Sequence, residues 1–580
     1  MILAARISEP LGYVLAVAIA IAAFGLCADF SVLNPTDFRW LLGTHLDEFD
    51  RSSHFLGWLH YSKDVWRFPL GANPNNGLEI GNSLVYSDSI PLLAIPMKLI
   101  AQVTGASFQY FGIWMFLCFV LQAMAAFRLS ALASNNTPFR LLVVSIFCLT
   151  PILAERLSRH MSLGAHFFVI LALLLVLDRG IKRRSLMWTC LIAAATLVHF
   201  YILAMVGALW VADLLIRIQK AERIVRLALE FSIAIFAVLL CAWQAGYFVI
   251  GSGAHAPGYG HYSLDILGPV IPMGFSSIIP EVISFDGAAK EGFAYFGLGQ
   301  VFIVSMATIL VLSGRLSYRS ASRKFWPLLG VCVCLWIFAI SNYIHFASHE
   351  LKIPLPLEFV GLANFLRSSG RMFWPVAYLI LFASIWCVAR GVSTKNAIAA
   401  ISMALVLQVV DIAPGLQSLR QSYRPSTDFV RLESQHPFWR SAISRSYDKL
   451  RFLPTGNMSE GWMLVSDFGA RHAIPTDGVY LARIDQARFK KLRAKTDMQI
   501  ESGVFEADTL YTMDETTARR ILAHRFTAKD LLGRAGDLYV LAPNMGAYRQ
   551  QLGFSRGFQR KELHPAQKPI PAPRERVEAE

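Results

Sequence analysis

The chain has 580 residues, of which 55% are hydrophobic and only 16% are charged. Its mean hydropathy of +0.45 excludes a single soluble domain, and its aromatic content excludes a disordered chain. The sequence contains neither paired CxxC motifs nor HExxH, which excludes the familiar zinc sites. The composition therefore predicts a polytopic membrane protein whose chemistry depends on carboxylates, histidines, arginines or lysines.

The positions of the basic residues are related to those of the apolar runs. Lys and Arg number 54 against 40 Asp and Glu, a formal net charge of +14. Much of this excess lies in short segments between apolar runs, such as RGIKRR at 179–184. Short basic loops are typical of the cytoplasmic side of a membrane protein, so the charge indicates topology and argues against nucleic acid as a partner.

Eleven apolar runs are read as membrane crossings because each approaches the length that spans a bilayer. In chain order they lie at 10–28, 108–127, 138–154, 162–178, 185–199, 201–217, 225–250, 295–313, 325–342, 371–389 and 395–413. The short basic loops alternate with long loops, which by this alternation face the outside. Residues 1–413 are thus predicted to form a transmembrane domain in a bacterial inner (cytoplasmic) membrane, with the long loops in the periplasm.

The first outer loop, 29–107, reverses the charge balance of the protein, because residues 29–88 carry eight acids against four Lys and Arg. Thr44 is a candidate N-cap for a helix that follows it. Helical spacing then places four side chains on one face: Asp47, Asp50, His54 and Trp58. We predict that function concentrates on this face.

A carboxylate on this face can take the proton from an attacking hydroxyl group. Asp50 has no capping role in this register and is the first candidate for the catalytic carboxylate. Asp47 is the second candidate. The alternative for Asp47 is that it completes a capping box with Thr44. His54 is either a substrate contact or a structural hydrogen-bonding group, and Trp58 is either an interfacial aromatic or a platform for a sugar ring.

The end of the same loop contains a further acid and a predicted interfacial helix. Asp88 is a candidate substrate-binding residue, although an acid shortly before Pro91 is also a common helix cap. The apolar stretch 89–106 is interrupted by Pro91, Pro96 and Lys98. It is therefore predicted to lie at the membrane interface rather than to cross.

Two short outer turns carry further polar side chains. Arg159 and His160, beside Arg156 in the turn between the third and fourth runs, are predicted to bind substrate, with the alternative that a short turn carries charges in any case. His199 and Tyr201, in the turn between the fifth and sixth runs, are interpreted as interface residues.

The best candidate for an anion site precedes the tenth run, where Arg367 and Arg371 flank Ser-Ser-Gly. A helix N-terminus presents unpaired N–H groups and the positive end of the helix dipole, and two guanidiniums beside it suit a phosphate at headgroup depth. The alternative is that both arginines anchor to ordinary lipid headgroups. Glu291, just outside the eighth run, is either a further acid of the site or an interfacial charge.

After residue 413 the composition becomes that of a soluble protein and predicts a small extracytoplasmic α/β domain over 414–556. Its predicted strands and helices are strand-like runs at 462–466, 478–484 and 538–542 and helical runs at 485–497 and 515–524. Four prolines and mixed charges predict that residues 557–580 form a disordered tail.

The combination of a first-loop acid, about eleven spans, outer arginines and a terminal outer domain resembles the GT-C superfamily of membrane glycosyltransferases. Five segments are also similar to those of an uncharacterised family of bacterial multi-spanning proteins grouped with that fold. These segments are DRSSHFLGW at 50–58, FPLGANPNNGLEIGNS at 68–83, YSDSIPLLA at 86–94, EGFAYFGLG at 291–299 and RSSGRMFWP at 367–375. The likeness extends over nearly the whole chain, to about residue 550.

The resemblance implies transfer of a sugar from a polyprenyl-phosphate-linked donor to a hydroxyl of a glycan, lipid or protein acceptor, with inversion at the anomeric carbon. Asp50 matches the superfamily's first-loop acid and would be the general base. Arg367 and Arg371 match the donor-phosphate residues in position and chemistry only. The chain departs from the pattern because no adjacent acid pair stands at 50, and the neighbouring pair is Asp47-Glu48. The resemblance leaves open whether a divalent cation, magnesium or manganese, bridges acid and phosphate.

A transporter or lipid flippase is the alternative, since many proteins with this number of spans move a solute. Transporters tend to place ionisable groups near the membrane midplane. Here the candidate charges lie at the outer ends of the runs, and Asp213, Glu230 and Asp411 also lie near run ends. This placement favours the transferase.

Overall fold

The computed structural model describes residues 8–43, 49–251, 256–281, 289–316, 319–347, 349–424, 429–443, 447–524, 529–552 and 554. The chain divides into two compact units: unit 1 is Met1–Phe429 with Val479–Lys490, and unit 2 is Val430–Gly478 with Lys491–Glu580. The chain therefore returns to unit 1 after its first passage through unit 2. Thr44, Asp47 and the predicted tail lie outside the described residues.

Unit 1 is helical. Within its described residues the α-helices are α1 Glu9–Cys27, α2 Phe49–Lys63, α3 Pro91–Thr104, α4 Phe111–Ser130, α5 Thr137–Cys148, α6 Pro151–Arg159, α7 Phe167–Leu177, α8 Arg184–Thr196, α9 Phe200–Gln219, α10 Ile224–Ala245, α11 Leu298–Leu312, α12 Arg319–Ile340, α13 Leu357–Ala363, α14 Trp374–Gly391 and α15 Thr394–Ser422. Helix starts follow local sequence rules, since the side chains of Ser8, Asn136 and Ser393 each accept a backbone N–H bond as N-caps. An antiparallel hairpin, β1 Tyr343–Phe346 and β2 His349–Lys352, lies between α12 and α13.

Each predicted run coincides with a helix or helix pair of unit 1, but eleven crossings are not confirmed. In the described part of the chain, six helical segments are long and apolar enough to cross a membrane: Glu9–Cys27, Phe111–Ser130, Phe200–Gln219, Ile224–Ala245, Ser369–Gly391 and Thr394–Ser422. The pair α5 and α6, bent by 41°, makes a seventh if it is one span. The runs at 162–178, 185–199 and 295–313 form shorter helices. The run at 325–342 falls in α12, whose backbone is not helical at Phe325, so its apolar part is the shorter segment Lys324–Ile340. A helix of 15 residues such as α11 is about 22 Å long, less than the roughly 30 Å of a hydrocarbon core.

The predicted first outer loop contains one buried helix. Every residue of α2 from Arg51 to Ser62 is buried, because this short helix is enclosed within unit 1. The position of α2 relative to a membrane surface stays a prediction, because burial within unit 1 does not test it. Trp58 is fully buried and donates its Nε1–H to the carbonyl of Phe108 at 2.6 Å, which makes it a core residue and not a platform for a sugar ring.

The helix α3 matches the interfacial prediction better. Its exposed apolar residues include Leu99, Ile100 and Val103, whereas Ala94, Lys98 and Ala101 are buried. Such an amphipathic helix suits a membrane surface. Its position relative to a bilayer stays a prediction.

Close helix contacts in unit 1 depend on glycine. A Cβ added at Gly112, near the start of α4, would lie 1.9 Å from the backbone carbonyl oxygen of Val32, which cannot move as a side chain can. We expect Gly112→Ala to lower the free energy of unfolding by about 1–3 kcal/mol, because overpacking forces backbone shifts. The measurement is thermal unfolding in detergent.

The matched control is Gly207→Ala in α9, where an added Cβ meets no atom within 4 Å. This substitution should be neutral or stabilise the helix by up to about 1 kcal/mol. Equal unfolding temperatures for the two variants would contradict the close contact at Gly112.

Buried acids in the helices of unit 1 are paired with arginines. Asp213 in α9 is fully buried and accepts hydrogen bonds from Arg179 at 2.6 Å and Arg184 at 3.2 Å. Glu230 in α10 is 4% exposed and accepts from Arg217 at 2.7 Å. Charges compensated in this way have a structural role in joining helices.

The helix α15 continues beyond the predicted boundary at 413 to Ser422, because Ile412, Gly415 and Leu416 extend its buried face past Pro414. Unit 2 has the predicted α/β character. Its described elements are α16 Leu432–Gln435, α17 Pro437–Ile443, β3 Lys449–Leu453, α18 Trp462–His472, the greater part of α19 Gln486–Ser502, β4 Thr509–Met513, α20 Glu515–His524, β5 Leu531–Ala535 and β6 Leu538–Ala542. The sheet order is β3-β4-β6-β5, with β3 and β4 parallel and the other pairs antiparallel.

The structure confirms three of the predicted elements of the C-terminal region and contradicts two. The runs at 485–497, 515–524 and 538–542 are α19, α20 and β6. The run at 462–466 is the first part of α18, since a short apolar run looks the same in a strand and in a buried helix. The run at 478–484 is not a strand, since it contains one bridge residue, Val479, and the carbonyl of Tyr480 accepts a hydrogen bond from the side chain of Ser53 in α2.

Candidate functional site

Three distant segments meet at the imidazole of His160, the residue that follows α6. Its Nε2 lies 3.4 Å from Asp50 Oδ2 and 3.4 Å from Glu291 Oε1. Asp50 projects from the first turn of α2, and Glu291 belongs to the three-ten turn Ala289–Gly292. Burial alone would lower the pKa of His160, but the carboxylates of Asp50 and Glu291 raise it above its ordinary value. The arrangement therefore favours an imidazolium between two carboxylates.

Glu291 is held by two guanidiniums. Arg156 donates from Nη1 to Glu291 Oε2 at 3.1 Å, and Arg371 donates to the same oxygen. Burial alone would raise the pKa of Glu291, but Arg371 and Arg156 hold it well below its usual range. Glu291 therefore stays ionised at neutral pH, and a base of such low pKa is a poor acceptor of protons.

Asp88 forms a second group of acid and imidazoles. Its Oδ1 lies 3.4 Å from His199 Nε2, and its Oδ2 lies 3.7 Å from His54 Nε2. The backbone of Asp88 has a φ of +50°, a left-handed conformation that Asp tolerates better than most residues. Burial alone would raise the pKa of Asp88, but His199 and His54 hold it well below its usual range.

The tautomer of His199 follows from its hydrogen bonds. It is the N-cap of α9, and its Nδ1 accepts the backbone N–H of Tyr201 at 3.1 Å. The proton of the neutral ring is then on Nε2, which faces Asp88 as a donor. Burial lowers the pKa of His199, which favours this neutral form.

A cavity of about 440 Å³ lies beside these groups. Its polar lining includes Asp88, His160, His199, Tyr201, Arg367, Ser368, Arg371 and Arg483. Its apolar lining includes Val85, Val198, Phe200, Phe248 and Phe365. The cavity is large enough for a polar headgroup with an attached sugar, and cations dominate its charged lining.

The predicted arginines both line this cavity, but the predicted backbone contribution is absent at three positions. The N–H of Ser368 donates to Tyr201 Oη at 2.8 Å, that of Gly370 to the carbonyl of Tyr262 at 3.0 Å, and that of Arg371 to the carbonyl of Ser368 at 3.3 Å. The helix α14 begins only at Trp374, after a three-ten turn. An anion in the cavity therefore has to depend on side chains.

The two guanidiniums differ in their surroundings. Arg371 is 6% exposed, lies with its Cζ 4.9 Å from the ring centroid of Tyr201, and has an Nε without a hydrogen-bond partner among the described residues. Arg367 is half-buried over the ring of Tyr262, and within the described part of the chain it pairs with no carboxylate. A buried N–H that lacks an acceptor is costly, so the cavity is suited to an anion.

The segment Val479–Lys490 supplies a third guanidinium. The hydroxyl of Ser53 donates to the carbonyl of Tyr480 at 2.6 Å. Arg483 donates from Nη2 to the carbonyls of Asn364 and Phe365 at 3.2 and 2.8 Å. These bonds hold Arg483 at the cavity, beside the loop that carries Arg367.

The structure thus brings together Asp50, His54, Asp88, His160, Glu291, Arg367 and Arg371 from the sequence-derived set. Among the described residues, Arg159 pairs with Glu155 at 3.0 Å, whereas Arg156 contacts both Glu155 and Glu291. Asp47 lies outside the described residues.

Four residues of this region were not predicted as site residues: Arg156, His199, Tyr201 and Arg483. Arg156 stands four residues before His160, so helical spacing could have placed both on one face. His199 directly before an apolar helix could have been recognised as an N-cap. No sequence signal identifies Arg483, which lies within the run at 478–484 that resembles a strand.

One group of described residues could hold a metal ion. His54, Asp88 and His160 each offer a ligand atom, and these atoms lie within 4.8 Å of one another. Two imidazole nitrogens and one carboxylate suit manganese or zinc, whereas magnesium prefers oxygen ligands. Of the two cations that the resemblance leaves open, the residues fit manganese.

The matches to known families cover most of the chain. The chain belongs to the family described as domain of unknown function DUF6311, whose model matches residues 17–413. A second model, the DUF6311 C-terminal domain, matches residues 438–543. A search of the curated proteins finds no match. Two cavity-lining residues, Ala482 and Arg483, fall within the second match, and the other cavity-lining residues fall within the first.

Proposed function

We propose that this DUF6311 protein is a membrane glycosyltransferase that moves a sugar from a polyprenyl-phosphate-linked donor to an acceptor hydroxyl. One observation carries the proposal: the partly exposed acid Asp50 is joined through His160 and Glu291 to Arg371, which lines a cavity suited to an anion. A base and a phosphate-binding cation at one place are the two groups that this transfer needs. The apolar helices support a membrane setting for a lipid-linked donor.

The proposed reaction is a single displacement. Asp50 takes the proton of the acceptor hydroxyl while the oxygen of that hydroxyl forms a bond to the anomeric carbon. The bond between that carbon and the phosphate oxygen breaks, and its electron pair leaves with the lipid phosphate. Arg371 and Arg367 stabilise the charge on the leaving phosphate, and attack from the opposite face inverts the anomeric centre.

Asp50 suits the role of base better than the other acids do. Its side chain is 30% exposed and has one ion-pair partner among the described residues, His160. Asp88 is shared by two imidazoles and Glu291 by two arginines, which lower the pKa values of both acids. A carboxylate so strongly stabilised in its charged form takes a proton less readily.

His160 and Glu291 act as positioning residues in this scheme. The imidazole fixes the carboxylate of Asp50, and Glu291 fixes both the imidazole and Arg371. A manganese ion would be held by His54, Asp88 and the neutral form of His160, because an imidazolium cannot ligate a metal. When bound, it would supply Lewis-acid stabilisation of phosphate charge.

The resemblance to the GT-C superfamily supports the same reaction and an active site on the outer side of the membrane. It implies an active site and a C-terminal domain in the periplasm of a bacterium, with a glycan, lipid or protein as acceptor. Cell-surface glycan or glycolipid modification is the process that fits these partners.

The proposal is tested by mass spectrometry of the lipids that co-purify with the full-length protein in mild detergent. We expect wild type to retain a polyprenyl-phosphate-linked sugar and Arg367→Ala/Arg371→Ala to lose it, because the phosphate loses both of its predicted cations. The control is Arg226→Ala/Arg390→Ala, which removes two arginines predicted on the opposite side of the membrane. Bulk phospholipid alone in wild type would contradict the proposal.

The transporter alternative would require ionisable groups along a path through the helices. Asp213 and Glu230 are buried among the helices, where such a path would run. Their negative charges, however, are compensated by arginines, namely Arg179, Arg184 and Arg217. Movement of a lipid-linked sugar across liposomes without release of the lipid phosphate would favour a flippase over the transferase.

A further inference from the structure

The charge of the cavity exceeds what a single phosphate group needs. Among the described residues, Arg367, Arg371 and Arg483 line it together with one carboxylate, that of Asp88. Asp88 is itself engaged by His54 and His199. Among the described residues, the lining of the cavity therefore has more cationic than anionic groups.

The guanidiniums fall into two groups. Arg371 is buried and fixed by Glu291, and its Nε lacks a partner among the described residues. Arg483 and Arg367 are less buried, and Arg483 is bonded to the backbone of Asn364 and Phe365, just before Arg367 in the chain. Like charges held close together at a partly buried cavity repel, and an anion between them removes this cost.

Hydrogen bonds of its segment to the rest of unit 1 fix the position of Arg483. The segment Val479–Lys490 belongs to unit 1, and its backbone is fastened through Tyr480 to Ser53 of α2. Ser53 stands three residues after Asp50, so the same short helix carries the proposed base and the anchor of this segment. Two bonds from Arg483 to backbone carbonyls then fix the plane of its guanidinium.

We infer that Arg367 and Arg483 form a second anion subsite, so that the cavity takes a lipid diphosphate with one phosphate group at Arg371 and the other between Arg367 and Arg483. Planar guanidiniums bind phosphate oxygens in pairs, which suits two adjacent phosphate groups. The inference rests on the proposed function in its choice of a lipid-linked ligand. It names the linkage of that ligand, a diphosphate in place of a monophosphate.

The test compares binding of farnesyl monophosphate and farnesyl diphosphate to the full-length protein in nanodiscs. Wild type should bind the diphosphate about tenfold more tightly, the effect of one further charge-assisted contact. Arg483→Gln should remove this preference and leave the affinity for the monophosphate unchanged. Arg367→Gln should also reduce the preference, and it should weaken monophosphate binding as well because Arg367 is one of the two cations proposed for the leaving phosphate. The ratio of the two affinities therefore gives a second readout if Arg483→Gln does not fold.

The matched control is Arg488→Gln in the same segment. Arg488 is exposed, pairs with Asp485 at 3.3 Å and does not line the cavity. This variant should keep the preference of wild type. Equal binding of the two farnesyl ligands by wild type, or equal weakening of both by Arg483→Gln, would overturn the subsite.

The outcomes separate this inference from the proposed function. Transfer from a monophosphate-linked sugar with no preference for the diphosphate would overturn the second subsite alone. A preference for the diphosphate that Arg483→Gln removes, without release of lipid phosphate from any linked sugar, would support the subsite and contradict the transferase.

Discussion

We expect Asp50→Asn to lower the rate of sugar transfer by about 10²–10⁴-fold, the usual contribution of a general base. Asparagine keeps the size of the side chain and a polar contact to His160, so the unfolding temperature should change little. The measurement uses decaprenyl-phosphate-linked hexoses in nanodiscs with a membrane extract as acceptor. Liberated decaprenyl phosphate, the product common to all acceptors, is determined by mass spectrometry.

The control for this substitution is Asp37→Asn in the same loop. Asp37 pairs with the exposed Arg39 at 2.8 Å, and this variant should transfer sugar at the wild-type rate. Unchanged turnover in Asp50→Asn would remove Asp50 from the mechanism and direct attention to Asp88.

Glu291→Gln should have the largest effect on stability. The substitution leaves Arg156 and Arg371 buried without the carboxylate that both contact, and breaking a buried ion pair costs about 3–5 kcal/mol. Thermal unfolding in detergent at neutral pH measures this loss. Glu222→Gln is the control, because Glu222 is more exposed and pairs with Arg217 at 2.8 Å, where about 0–1 kcal/mol is expected.

The pH dependence of unfolding gives a second measurement on the same variant. The pKa of Glu291 is lower in the folded protein than in the unfolded chain, where it is about 4.3. The stabilisation from Glu291 is therefore present above pH 4.3 and is lost as the pH falls through the folded pKa. Glu291→Gln should lack this part of the acid transition, and an identical acid slope in both proteins would contradict the assigned ion pairs.

His160 contributes in the opposite direction and at higher pH. Its pKa is raised in the folded protein, so its contribution is present below about pH 6.5 and is lost as the pH rises through the folded value. The two titrations are therefore separated along the pH axis.

Much of the helical architecture could be predicted from the sequence. Apolar runs of sufficient length predict helices wherever they occur, and each of the eleven runs does coincide with helix. The number of crossings could not be predicted in the same way, because an apolar run such as 295–313 also contains the turn before α11. The C-terminal run at 462–466 was predicted as a strand and is helical. A short apolar run has no periodic pattern of apolar and polar residues, and without such a pattern the sequence does not distinguish a strand from a helix.

The residue types of the candidate site could be predicted from the sequence, but the contacts between these residues could not. Acids and arginines at the ends of apolar runs are conspicuous because charge is rare in such a chain. Their pairing was not predictable, because Glu291, His160 and Asp50 are separated by more than a hundred residues and meet only through helix packing.

The sequence by itself determined that this is a helical membrane-type chain with a small α/β unit, because hydropathy and residue period act locally. It also determined which polar residues lie near the ends of the apolar runs. The tertiary structure alone decided that Arg371 is neutralised by Glu291 while Arg367 is not, and that Arg483 returns from the C-terminal part of the chain to the same cavity. Charge compensation depends on distance in space, and only packing sets that distance.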